Sequence, residues 1–165
     1  MKVLFLHGLE SGPHGSKYQA LKKKFADVLA PDCSGVKDEA QRLKIIQQEI
    51  SRESAPFLVV GSSMGGLMAL LLQKKHPEQV AGLVLCAPAI HRSAGANLDL
   101  HNLPPTIVIH GTQDDVVPIE VSLAFGKRLR KVDDDHRLSN SMEEILRAVF
   151  EMKLTLSKFS PRKQE

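Results

Sequence analysis

The chain predicts an α/β fold, with about six parallel strands in one sheet and helices packed on both faces. Three observations carry that expectation. Short apolar runs alternate with stretches of helical period along most of the sequence, and strands joined through helical crossovers pair in parallel. The 165 residues suit one domain spanning 1–165, since two cores would need roughly 200 residues or more. No internal repeat or linker interrupts the pattern.

Each element has its own signal. Lys2 to Leu6 is an apolar run that predicts a buried strand. The loop from His7 to Gly15 follows. A helix comes next, in which Ser16 and Gln19 form a capping box and Tyr18, Leu21, Phe25 and Val28 keep helical spacing. Val28 to Ala30 predicts a short strand. Asp38 and Gln41 open a second helix with Ala40, Leu43, Ile46 and Ile50 on one face. Phe57 to Val60 is the third expected strand. Gly65 to Lys75 is a helix apolar on most sides, hence deeply packed. Val80 to Cys86 and Thr106 to Ile109 are the fourth and fifth strands. Pro118 suits the first turn of a helix running to about Phe125, and Leu129 to Val132 predicts a short sixth strand. Ser141 and Glu144 form a further capping box before a last helix, whose face is Met142, Ile145, Leu146, Val149 and Phe150. Pro88 to Pro105 is the longest stretch without clear periodicity, and such loops are usually functional or mobile. The tail from Ser157 to Glu165 is polar and expected to fray.

Composition removes several function classes. Apolar residues make up 42% and charged residues 25%, ordinary globular usage that excludes long disorder, collagen and coiled coil. The longest nearly apolar stretch, Ala81 to Ile90, is about half the roughly 20 residues a bilayer requires, so no membrane span is expected. The apolar run after Lys2 is too short for the core of a secretory signal. Net charge is +3, and the basic residues are scattered. Aromatics are 4%, with no Trp and one Tyr, so nothing suggests a nucleic-acid partner. The two cysteines, Cys33 and Cys86, form no CxxC. Neither a disulfide scaffold nor a metal site is expected, and a reducing cytoplasm is the expected compartment.

The informative motif is Gly61-Ser62-Ser63-Met64-Gly65, placed between an expected strand and an expected helix. That is the context of a GxSxG nucleophile elbow. Its central residue, Ser63, must sit on a tight, strained turn, and Gly61 and Gly65 leave room around it. The same glycines form neither a phosphate-binding loop, which needs Gly-Lys-Ser/Thr, nor a dinucleotide fingerprint, which needs GxGxxG. A serine nucleophile needs a base, and the base needs an orienting acid. In this type of site the chain order is Ser, then Asp or Glu, then His. Of the seven histidines, only His136 follows the candidate acid loop, His110-Gly111-Thr112-Gln113-Asp114-Asp115-Val116-Val117-Pro118. Asp114 is the preferred acid and Asp115 the alternative, with Val116 and Val117 packing back into the fold. His110 reads as a turn histidine bonded to local backbone. The oxyanion of a tetrahedral intermediate would take one N–H from Met64 and one from the loop after the first strand. There Leu9 is the better donor and Glu10 the alternative, with Ser11 and His14 at the pocket mouth.

With LHG after the first strand, GSSMGG at the elbow, HGTQDDVVP, and DDDHRL near the end, the chain resembles the α/β-hydrolase superfamily from Leu6 to about Leu138. Its first half is similar to the small single-domain bacterial esterases of the YqiA-like type. The resemblance implies strand order 2-1-3-4-5-6 and a serine hydrolase with Ser63, Asp114 and His136 as triad. It implies double displacement through an acyl-enzyme, without a cofactor, on a small ester or thioester. Serine-peptidase activity would use the same machinery, and a silent binding protein on the same fold is the alternative class. A metal hydrolase built on Asp133 to His136 lacks a spaced ligand set. Relative to the fuller family pattern, the first two strands and any inserted lid are missing, and the last helix–strand unit is trimmed. Arg92 or His91 could meet a substrate carboxylate, although a solvated loop pair explains both.

Overall fold

The structure, a computed structural model, describes residues 1–159. Six strands form one sheet: β1 (Val3–Leu6), β2 (Val28–Leu29), β3 (Phe57–Ser62), β4 (Val80–Cys86), β5 (Thr106–Gly111) and β6 (Leu129–Val132). All neighbours pair in parallel, in the order β2-β1-β3-β4-β5-β6. This is the predicted fold and the predicted order. Four α-helices flank the sheet: α1 (Ser16–Lys24), α2 (Glu39–Ile50), α3 (Met64–Lys75) and α4 (Met142–Phe159). Among the described residues no helix is long and apolar enough to cross a membrane.

The two-residue period of the strands divides the core in two. Leu4, Leu6, Val59, Leu83, Leu85 and Val108 face one side, with Ile46 and Ile50 of α2 and the apolar body of α3. Val3, Phe5, Leu58, Val60, Val84, Ile107 and Ile109 face the other, with Leu21 of α1 and Ile145, Val149 and Met152 of α4. Complete burial of one such side chain is worth about 1.5–3 kcal/mol, so both layers contribute to holding the sheet between its helices. The site arises from this register. Leu6 pairs with Gly61, Ser62 with Cys86, and Gly111 with Val132, so the loops after β1, β3, β5 and β6 leave one carboxyl edge together.

Several local expectations need correction. Ser16 does not cap α1. The N-cap is Gly15, without a side-chain bond, and the Gln19 amide donates to His14 O at 3.2 Å. Ser141 does not form a box with Glu144. Its hydroxyl donates to Asp134 at 2.8 Å, and Glu144 pairs with Arg130. Ser16 is already the first helical residue, one position past the cap, and Ser141 is drawn to Asp134 instead. Asp38 does cap α2, accepting from Gln41 N at 2.8 Å. Pro118 precedes a 3-10 segment, residues 119–128, rather than an α-helix, and Gly126 breaks that segment at φ 57°. Ala40 and Phe150 point to solvent, and Arg42 takes the buried place on α2. The 88–105 stretch is packed, with Leu98, Leu100 and Leu103 lying against the core. The tail expected to fray from Ser157 is helical through Phe159, and its remainder lies outside the described residues.

Candidate active site

Ser63 occupies the single residue between β3 and α3, at φ 55° and ψ −115°. A non-glycine residue held in so sparsely populated a region costs about 1–3 kcal/mol. Neighbouring bonds hold it there. Its N–H donates to Cys86 O at 2.8 Å, and its carbonyl accepts from Gly66 N at 2.9 Å and Ala89 N at 3.0 Å. The glycines are steric necessities. A Cβ on Gly65 would lie 1.9 Å from Leu6 O, and one on Gly61 2.5 Å from Gly65 O. The strand-to-helix turn therefore forms with the hydroxyl standing clear at the sheet edge, as the motif predicts.

The structure brings the three separated residues together. Ser63 Oγ lies 3.0 Å from His136 Nε2, and His136 Nδ1 lies 2.7 Å from Asp114 Oδ2. With Nδ1–H donating to the carboxylate, Nε2 is left to accept from the serine hydroxyl. The His136 side chain is 19% exposed and that of Asp114 fully buried. The carboxylate's other oxygen, Oδ1, accepts the N–H groups of Val116 at 2.9 Å and Val117 at 2.8 Å. Burial alone would raise the Asp114 carboxyl, but the bonds from His136, Val117 and Val116 outweigh it and hold the group below the usual carboxylate range. Of the two candidate acids, Asp115 lines the cleft. Val116 departs from expectation. It is 60% exposed and lines the cleft, while only Val117 packs inward. Two short amide bonds to Asp114 fix the turn and leave the two valines on opposite sides.

The loop carrying His136 is seated against β5. Gln113 N donates to Asp134 O at 3.0 Å, and a Cβ on Gly111 would lie 2.3 Å from that oxygen. The acidic run disperses. Asp133 accepts from Gln113. Buried Asp134 accepts from Ser141, Asn140 N and Asp135 N. Burial opposes the Asp134 charge, and these donors overcome it, so its carboxyl also lies below the usual range.

On the opposite wall, the loop after β1 runs beside the serine. A Cβ on Gly8 would meet Ser63 Cβ at 3.4 Å. Leu9 lines the cleft, half-buried against the core. Met64 is the first residue of α3, so its N–H has no intrahelical partner, while its side chain is buried. Two residues that secure this wall escaped sequence reading. Arg42 is 1% exposed and donates to the carbonyls of His7 at 3.0 Å, Gly8 at 3.2 Å, Cys33 at 3.3 Å and Val36 at 2.6 Å. The signal was present: positions 42, 46 and 50 share a helix face, and the first is charged. His7 is buried, with Nδ1–H donating to Gly8 O at 2.7 Å and Nε2 accepting from Cys33 N at 3.0 Å. Burial and the adjacent Arg42 keep it below the ordinary histidine value, against the pull of Gly8 O.

These walls enclose an open cleft of about 690 Å³. Glu10, Ser11, Lys17, Asp135 and Arg137 form its rim with Leu9 and Val116. Other suggested contacts fall elsewhere. His14 packs on Tyr18, with ring centroids 4.7 Å apart, and Arg92 pairs with Glu39 at 2.8 Å. His91 is exposed outside the cleft lining. The cysteine nearest the elbow, Cys86, is buried, and burial pushes its thiol up to about 11.

Comparison with known proteins agrees with this architecture. Residues 34–101, which include the elbow, match the family model described as serine aminopeptidase, S33. A crystallised protein of the α/β-hydrolase superfamily from Xanthomonas campestris is 26% identical. It superposes with a TM-score of 0.78 over 94% of this chain and 99% of its own. Fold and strand order are those of the α/β-hydrolase superfamily, to which these matches are similar. Lower similarities share the fold. Est1E from Butyrivibrio proteoclasticus, determined with ferulic acid bound, is 17% identical, with a TM-score of 0.74 over 96% of this chain and 90% of its own. Mouse α/β-hydrolase domain-containing protein 10 is 19% identical, at 0.73 over 96% and 90%. The comparison with curated protein sequences gives no match.

Proposed function

We propose that this chain is a serine hydrolase that cleaves small carboxylic esters through an acyl-enzyme. The observation that carries the reading is the continuous chain of hydrogen bonds from Ser63 Oγ through His136 to Asp114, built on a strained elbow. In this mechanism Ser63 Oγ attacks the ester carbonyl as its proton passes to His136 Nε2. The N–H groups of Met64 and Leu9 receive the developing oxyanion. Collapse expels the alcohol, which takes the proton from His136. Water then gives a proton to His136 and attacks the acyl carbon. The carboxylic acid departs, and Ser63 recovers its proton. Asp114 holds the imidazole in the tautomer this cycle needs. No step calls for a cofactor. Val116 and Leu9 offer apolar contact to a short acyl or alkyl group.

Peptidase activity on an amide is the second reading, favoured by the description of the matching family model. A thioester would pass through the same intermediates. The buried thiols suit the reducing cytoplasm we infer for the protein. The test is direct. The wild type should react with a fluorophosphonate probe and turn over members of an ester, thioester and aminoacyl-amide panel. Ser63→Ala should lose labelling and several powers of ten in turnover. Labelling and activity unchanged in that variant would overturn the proposal, and an unlabelled wild type would leave a silent binding protein.

A further inference from the structure

His110 lies on β5 and is fully buried, yet it does more than bond local backbone. Its Nε2 lies 2.9 Å from Val117 O and 3.1 Å from Asp114 Oδ2, and its Nδ1 lies 2.7 Å from Ser122 Oγ. A carbonyl can only accept, so Nε2 carries the proton and points it between that carbonyl and the carboxylate. Ser122, also fully buried, then donates its hydroxyl to Nδ1 and fixes the tautomer. We propose that His110 is a positioning residue for Asp114. Its Nε2–H occupies the carboxylate oxygen that His136 also uses and so limits how strongly the acid draws on the His136 proton. The role in turnover rests on the hydrolase reading above, whereas the coupling between the two rings does not.

The count of donors explains why this matters. A carboxylate has about four lone-pair directions. In Asp114 two are taken by the amides of Val116 and Val117, and two by the imidazoles of His110 and His136. The group can neither turn nor take another partner. Without the His110 donor, Oδ2 would concentrate its charge on His136, the imidazolium would be favoured, and the base would be lost at higher pH. The other charged groups bordering this chain are Glu10 from the β1 loop, Lys17 from α1, Asp115 beside the acid, and Asp135 and Arg137 beside the base. They are unchanged in every variant below, so a difference between variants belongs to His110.

The experiment compares wild type, His110→Leu and His110→Gln. Gln can place an N–H near the original Nε2, and Leu cannot. The His136 ring is titrated by NMR with nitrogen-labelled histidine, and kcat and KM are measured across pH. In His110→Leu the ring titration and the acid limb of activity should both move to higher pH by about half a unit or more. The kcat should fall roughly tenfold, with KM nearly unchanged. His110→Gln should return the limb to the wild-type position. A merely structural histidine would lower the melting temperature without moving the titration. A folded Leu variant with an unmoved titration, or a Gln variant no better than Leu, overturns the proposal. Should Leu fail to fold, Ser122→Ala releases the tautomer lock. It should shift the titration the same way by less, and an unmoved titration there overturns the proposal. A shifted titration in a protein without hydrolytic activity supports the coupling and refutes the functional reading alone.

Discussion

Asp114 keeps its charge although its side chain is fully buried, because every donor around it favours the carboxylate. Its carboxyl therefore titrates below the usual acidic range, and an acid limb of activity seen above that range belongs to the imidazole it holds. A base must be neutral to accept the serine proton. Activity is thus expected to fall once acid protonates that imidazole, while Asp114 stays ionised. Asp114→Asn should leave the fold intact and lower turnover by about a thousand- to ten-thousand-fold, since the amide can present the wrong group to His136 Nδ1–H. Asp115→Asn, altered only at the cleft wall, should change turnover a few-fold. Steady-state rates of the two purified variants decide between them, and the reverse ranking would transfer the acid's role to Asp115. At this scale the sequence was most legible in the juxtaposition of Ser63, Asp114 and His136, which their chain order anticipates. It was least legible where a side chain had several possible partners. Nothing in the spacing reveals that His110 faces the acid, or that Ser141 turns from its own helix to Asp134.

The strand–turn–helix element tolerates almost no side chain where its backbones cross. Gly65→Ala would drive a methyl to 1.9 Å from the Leu6 carbonyl, and neither backbone can yield without opening the β1–β3 ladder. Overpacking of this kind costs about 1–3 kcal/mol or more. The variant is expected to melt several degrees lower and to lose the serine geometry as well. Gly12→Ala, whose methyl would meet only Ser34 Oγ at 3.5 Å, should be nearly neutral. Thermal unfolding of both measures the difference, and equal melting temperatures would contradict the steric account. This steric demand is why the elbow could be read from five residues. Elements whose ends rest on weaker preferences were harder to bound. The 119–128 segment carries apolar residues at helical spacing, but Gly126 interrupts it and its turns tighten to 3-10 geometry. On α2 the period placed Arg42 on the inward face, but the four carbonyls that offset its burial come from loops the period does not locate.

Across the whole molecule, four strand ends must be in register before any site exists, and two of the loops depend on buried carboxylates. Asp134 ties the β6–α4 loop together and Asp114 ties the β5 loop. Both carboxyls lie below their ordinary values in the folded chain. Their contribution is fully present above the range where free carboxylates titrate, and is lost as pH falls through their lowered folded values, because the unfolded chain takes up protons first. Asp134→Asn should therefore lower stability at neutral pH and flatten its fall in acid. Urea unfolding at several pH values measures this, and a parallel fall in both proteins would show that Asp134 takes no part. The parallel sheet was legible from alternating strands and crossover helices, which leave few topologies, while its strand order was legible only through the family resemblance. The packing of residues 88–105 onto α3 was not, since its leucines follow no period.

That last arrangement has a consequence for competition at the proposed reacting centre. Residues 88–105 lie against the core instead of over the cleft, and the His136 edge faces solvent. An acyl group carried by Ser63 would stand where any small hydroxylic or amine molecule can arrive as freely as water. Its fate would be a partition set by concentration and nucleophilicity, with added alcohols and hydroxylamine diverting product in proportion to their share of the medium.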